Sequence, residues 1–169
     1  MKTYNKILKE CENTSDLKKL EIVNKAFIDI PYISDNIFYK QKDYWATPKE
    51  FFKYGKGDCE DFAISKYFLL IDSGINPDNL YLAYCRVKNE SHIVLVAYNI
   101  EGSETPLILD NVLNSRIWNT NERTDITPIF AFNHGNYKII NLNWELGNDI
   151  LGNKWSKWIN LLAKVKRGE

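Results

Sequence analysis

The patterning of this chain changes once, at Asn76-Pro77-Asp78. Before that point apolar residues recur at helical spacing. After it they fall into short runs separated by turn residues. Residues 3–29 read as helix, with Leu17, Leu20, Val23, Asn24 and Phe27 at helical spacing, Ser15-Asp16 as a cap for a second helix, and Pro31 as the stop. Residues 32–46 read as irregular. Thr47-Pro48-Lys49-Glu50 combines an N-cap, a first-turn proline and a capping-box acid, so a short helix is expected through Phe51 and Phe52. Gly55 and Gly57 then turn the chain into a strongly apolar helix that ends near Ser73-Gly74. The later segments read as strands at about 80–87, 92–98, 106–110, 128–132 and 137–141. A last amphipathic helix is expected over 149–164, with Trp155, Trp158, Ile159 and Leu162 on one face. Helices followed by consecutive strands that hairpin into one antiparallel sheet define an α+β domain spanning residues 1–169. It has a helical lobe over 1–30, a sheet over 80–141 and the apolar helix packed on that sheet.

Composition narrows the function. The chain has 169 residues, 44% of them hydrophobic, which suffices for a core of one domain. Lys+Arg and Asp+Glu are both 22, and no basic stripe interleaves with aromatics, so nucleic acid is not an expected partner. No apolar run reaches membrane-spanning length. The N-terminus lacks the apolar core of a secretory signal, which leaves a cytoplasmic protein or a mature, trimmed form. Cys11, Cys59 and Cys85 do not form a disulfide framework, and no CxxC or Cys/His cluster has zinc spacing. Cys85 alternates with apolar residues and reads as a small buried hydrophobe.

The chemistry concentrates in Gly57-Asp58-Cys59-Glu60-Asp61-Phe62-Ala63. The apolar run from Phe62 to Ile71 places Cys59 in the first turn of a buried helix. Unpaired backbone N–H groups and the positive end of the helix dipole favour thiolate there. His92 opens the apolar run 92–98 and Asp110 closes Pro106-Leu107-Ile108-Leu109. Cysteine, histidine and aspartate at element ends are the set that thiol proteases and transglutaminases use. Each also has an ordinary structural reading, as packing cysteine, strand-end histidine and turn aspartate. His134 sits in the turn Asn133-His134-Gly135-Asn136 and is the weaker histidine. Trp45 is an oxyanion-donor candidate through its indole N–H, with a core or cleft-wall role as the alternative.

Asp58, Glu60 and Asp61 crowd carboxylates around a thiol that should be anionic, and like charges oppose thiolate formation. Two explanations are open at this point. Acids are favoured in the first turn by the helix dipole. Alternatively a hard cation sits among them, since calcium takes oxygen ligands of this kind.

Two blocks together, Asp43-Tyr44-Trp45-Ala46-Thr47-Pro48-Lys49-Glu50-Phe51 and Gly57 to Phe68, resemble the LapG-type bacterial transglutaminase-like cysteine proteinases. Ser91-His92-Ile93-Val94-Leu95, Pro106 to Asn111 and Arg123 to Asn133 extend the likeness, which runs from about residue 20 to 135. The resemblance implies a papain/transglutaminase-like fold with Cys59, His92 and Asp110 as the triad. It implies a calcium ion beside the nucleophile, with Asp58, Glu60 and Asp61 as ligands. It implies a periplasmic endopeptidase that releases a large surface adhesin by cutting near the adhesin N-terminus, at a paired-alanine site. It further implies control by a LapD-type inner-membrane receptor for cyclic di-GMP. Departures are the absent export signal and Ile93 where many members have methionine, a volume-conserving change. Other readings are acyl transfer to an amine, cleavage of cell-wall peptides, and a non-catalytic calcium-loaded module that docks on a receptor.

Overall fold

The computed structural model describes residues 2–112, 116–150 and 155–169. Five helices precede the strands: α1 (Tyr4–Cys11), α2 (Asp16–Ala26), α3 (Asp35–Phe38), α4 (Pro48–Tyr54) and α5 (Cys59–Asp72). The strands are β1 (Leu80–Val87), β2 (Glu90–Ala97), β3 (Leu107–Leu109), β4 (Trp118–Asn119), β5 (Ile126–Phe132), β6 (Tyr137–Ile140) and β7 (Leu146–Asp149), and α6 (Ser156–Lys166) follows. They form one antiparallel sheet in the order β4-β3-β2-β1-β5-β6-β7.

The capping chemistry explains the helix starts. Thr3 Oγ1 accepts from Lys6 N–H, Ser15 Oγ from Lys18 N–H and Thr47 Oγ1 from Glu50 N–H. Glu50 returns a carboxylate to Thr47 N–H at 2.8 Å, closing the expected capping box. α4 ends on Gly55 at φ 65°, where a side chain would be strained.

α5 packs across β2 and β1, and α2 and α4 pack on α5. Phe27, Phe51, Phe62, Tyr67, Leu69 and Leu70 are fully or almost fully buried in this layer. Burying a large apolar side chain contributes about 1.5–3 kcal/mol, so this layer holds α5 rigidly against the sheet. A second apolar cluster covers the opposite face through Tyr81, Cys85, Val94, Val96, Ile108 and Trp144.

Within the 3–29 stretch a second helix begins at Asp16 behind its cap Ser15, as expected, with residues 12–15 between the two helices. Other expectations need adjustment. The irregular 32–46 segment contains α3. β4 and β7 were not expected: β4 has two residues, and β7 is a mostly exposed edge strand without apolar alternation. The last helix begins at Ser156, not 149, because residues 146–149 pair with β6 instead; residues 151–154 of the expected helix lie outside the described residues. Its inward face carries Trp158 and Leu161, whereas Ile159 is exposed.

Candidate active site

Cys59 is the first residue of α5, behind the N-cap Asp58. The turn before it is tight. A Cβ on Gly57 would lie 2.6 Å from Asp61 Oδ2 and 2.7 Å from Asp61 Cβ, so only glycine fits without displacing that acid. Asp61 Oδ2 accepts from Asp58 N–H at 3.4 Å and Oδ1 from Ala46 N–H at 2.8 Å. The Asp61 carboxylate therefore ties the start of α5 to the Tyr44-Trp45-Ala46 loop.

His92 lies in β2 opposite Cys85, and Asp110 directly follows β3. Their pairing is explicit: His92 Nε2 and Asp110 Oδ1 are 2.8 Å apart and both residues are buried. Nε2 is thus committed to the acid, which leaves Nδ1 as the nitrogen available to a thiol. Asp110 is held from other directions as well. Arg123 Nη1 donates to Oδ2 at 2.8 Å and Val112 N–H to Oδ1 at 3.0 Å. Burial alone would raise the Asp110 carboxyl, but hydrogen bonds from His92, Val112 and Arg123 outweigh it and hold the group well below the usual carboxylate range. Arg123 is in turn fixed by Asp125 at 2.9 and 3.0 Å.

Cys59, His92 and Asp110 line one cavity of about 570 Å³, together with Tyr32, Glu90, Val112 and Arg123. The Cys59 thiol donates to Glu60 Oε2 at 3.0 Å. Burial, then the Glu60 carboxylate, push this thiol well above its ordinary value, while a backbone hydrogen bond from Ile93 acts in the opposite direction. Burial pushes Asp58 and Asp61 each up to about 8, with neighbouring carboxylates adding to both. Glu60 and Asp35 are also raised, chiefly by burial.

The acids fit a hard cation. Asp35, Asp58 and Asp61 each present a carboxylate oxygen within 4.8 Å of the others, and so do Asp35, Asp43 and Glu60. Asp35 Oδ1 and Asp58 Oδ1 are buried without any hydrogen-bond partner. An orphaned buried carboxylate oxygen is costly unless a cation faces it. All-oxygen donors of this kind suit calcium rather than zinc or copper. The acids expected from sequence, Asp58, Glu60 and Asp61, thus divide between two groupings, both completed by Asp35. Sequence reasoning missed Asp35 and Asp43. Asp35 arrives through a long-range contact, in which Tyr32 bridges Gly57 and Ile33 N–H donates to Gly57 O at 2.9 Å. Asp43 was visible beside the Tyr44-Trp45-Ala46-Thr47-Pro48 block.

Two other candidates fall elsewhere. The Trp45 indole N–H donates to Asp43 Oδ1 at 3.0 Å, and the ring packs edge-on against Trp155 and stacks on Phe132. Its donor is thus engaged by Asp43, and Trp45 is not among the residues lining the Cys59 cavity. His134 is exposed, near the Tyr67 hydroxyl at 3.4 Å.

The fold and this cavity are those of a papain/transglutaminase-like thiol hydrolase, and the sequence agrees. The model of the bacterial transglutaminase-like cysteine proteinases (Peptidase_C93) matches residues 3–127, so the chain belongs to that family and is a cysteine protease. Among solved structures it is similar to calcium-bound Legionella pneumophila LapG, with 34% identity, TM-score 0.80, and coverage of 98% of this chain and 87% of that one. EGTA-treated LapG from the same organism gives 33% identity and TM-score 0.80 over 98% of this chain and 86% of that one. A comparison with curated protein sequences returned no match.

Proposed function

We propose that this protease is a calcium-dependent endopeptidase whose triad is Cys59, His92 and Asp110. Its substrate in this reading is a large surface adhesin, cut near its N-terminus at a paired-alanine site. The observation that carries the proposal is the sharing of one cavity by Cys59 and the buried His92–Asp110 pair. The orphaned oxygens of Asp35 and Asp58 support the calcium requirement, with Asp35, Asp43, Asp58, Glu60 and Asp61 as the oxygen donors. Bound calcium would supply positive charge that neutralises these acids and fixes the loop before Cys59.

The chain's own groups do the chemistry. The Cys59 proton passes to His92 Nδ1, and the thiolate sulfur bonds to the scissile carbonyl carbon. Asp110 keeps the imidazole in the required tautomer and stabilises its charged form. The oxyanion is met by the Cys59 backbone N–H at the start of α5 and by Tyr32, a phenol lining the cavity, in place of Trp45. His92 returns the proton to the leaving amine as the C–N bond breaks. Water then attacks the thioester with His92 as base, releasing the carboxylate product and the thiol.

The likeness to LapG supports a periplasmic location, with control of biofilm attachment by a LapD-type inner-membrane receptor for cyclic di-GMP. No helix among the described residues is long and apolar enough to cross a membrane. The test uses an N-terminal adhesin segment containing two adjacent alanines. Wild-type protein with calcium should cut it at that pair, and EGTA or Cys59→Ala should stop cleavage. Cutting by Cys59→Ala, or full activity in EGTA, overturns the assignment. An added amine acceptor that becomes joined to the substrate would show acyl transfer instead.

A further inference from the structure

Lys66 has no part in the chemistry above, yet it is a fully buried cation in the middle of the nucleophile helix. It lies two turns after Cys59, on the same side of α5. Its ammonium donates to Asn24 Oδ1 of α2 at 2.9 Å and to the backbone carbonyl of Asp110 at 3.4 Å, and stands 5.5 Å above the Phe27 ring. No carboxylate forms a salt bridge with it among the described residues. A lysine so placed is expensive to bury, and a leucine or methionine would serve packing better. Burial pulls Lys66 down to about 7, and the Asp110 charge opposes that shift.

The geometry points to Lys66 as a positioning residue that clamps the main chain of Asp110 to the helix carrying Cys59. The carboxylate of Asp110 is engaged by His92, Arg123 and Val112, but those contacts orient the side chain only. Lys66 holds the backbone from which that side chain springs. Through it, the strand end bearing the acid and the helix bearing the nucleophile share one fixed distance. Asn24 anchors the same ammonium to α2, so the clamp is braced from the helical layer.

This inference rests on the proposed triad, and the test separates the two. Full-length calcium-loaded wild type, Lys66→Met and Lys66→Arg are compared by thermal melting, by the downfield proton signal of His92 Nε2–H, and by turnover of a quenched peptide containing adjacent alanines. In Lys66→Met the His92 signal should broaden or move upfield. Its kcat should fall about 10- to 100-fold with KM within about twofold, as a misplacement of catalytic groups does. Lys66→Arg keeps a donor for the Asp110 carbonyl and should recover most of both. A Lys66→Met protein that melts cooperatively with wild-type signal and kcat overturns the clamp, as does an Arg variant no better than Met. Should Lys66→Met not fold, Asn24→Asp decides: it draws the ammonium from the Asp110 carbonyl without removing it, and must lower kcat at an unreduced melting temperature. An unchanged kcat there overturns the clamp. If wild type itself cuts no peptide, the proposed function fails, while the His92 signal still reports on the clamp.

Discussion

Arg123 and His92 grip opposite oxygens of the same carboxylate: Nη1 of Arg123 lies 2.8 Å from Asp110 Oδ2, and Nε2 of His92 lies 2.8 Å from Oδ1. These bonds hold the acid as an anion, well below the usual carboxylate range. Asp110→Asn keeps the shape but removes the charge, and should lower kcat by about 10²- to 10⁴-fold, the range for loss of effective acid–base catalysis. Asp110→Ala removes one of the two acids that Arg123 pairs with, leaving only Asp125, and should also cost about 1–3 kcal/mol of stability, as loss of a buried donor's partner does. Steady-state kinetics and chemical denaturation of the two variants check this. An Asn variant with wild-type kcat contradicts it.

The acid cluster makes stability depend on pH. Asp58 and Asp61 have ordinary values of 3.8 and are raised to about 8 in the folded chain. Their contribution is fully favourable below about pH 4, where both folded and unfolded forms are protonated, and is lost as pH rises towards 8. The EGTA-treated protein should therefore melt at progressively lower temperature between pH 5 and pH 8. In the proposed site calcium would bind the deprotonated acids, so its stabilising effect should be larger at pH 8 than at pH 5. Calorimetry with and without calcium measures both. A calcium effect independent of pH would contradict the ligand set.

Gly57 is packed against the acid that organises this loop. Gly57→Ala places a methyl 2.6 Å from Asp61 Oδ2, so Asp61 must shift. The expected cost is about 1–3 kcal/mol, typical of overpacking. Calcium affinity should fall as well, read by isothermal titration. Unchanged stability and affinity would mean the turn relaxes freely.

In the proposed mechanism Tyr32 supplies the second oxyanion donor. Tyr32→Phe removes one hydroxyl and should reduce kcat about 10- to 10³-fold with little change in KM. Trp45→Phe should instead act on stability, through lost packing against Trp155 and Phe132. The reverse pattern in kinetics would restore the tryptophan to the oxyanion site.

Local signals made much of this readable in the sequence. Thr47-Pro48-Lys49-Glu50 carries its own capping box, and the run after Cys59 fixes a buried helix with the thiol in its first turn. His92 and Asp110 were recognisable as polar residues at the ends of apolar strands. What could not be read depends on contacts distant in sequence. Asp35 joins the acids only because Tyr32 bridges Gly57. Arg123 reaches Asp110 across thirteen positions, and Lys66 across forty-four. β7 escaped notice because an exposed edge strand such as Leu146–Asp149 needs no apolar alternation.

The most direct test is the alkylation of Cys59 by iodoacetamide at pH 6, followed by mass spectrometry on calcium-loaded wild type and His92→Ala. Cys11 and Cys85 are buried and provide internal controls. A thiolate paired with His92 should react readily at that pH, and the variant should lose this by about tenfold or more. Equal rates in the two proteins, with labelling only at the pH of an ordinary thiol, would contradict the catalytic pairing of Cys59 with His92.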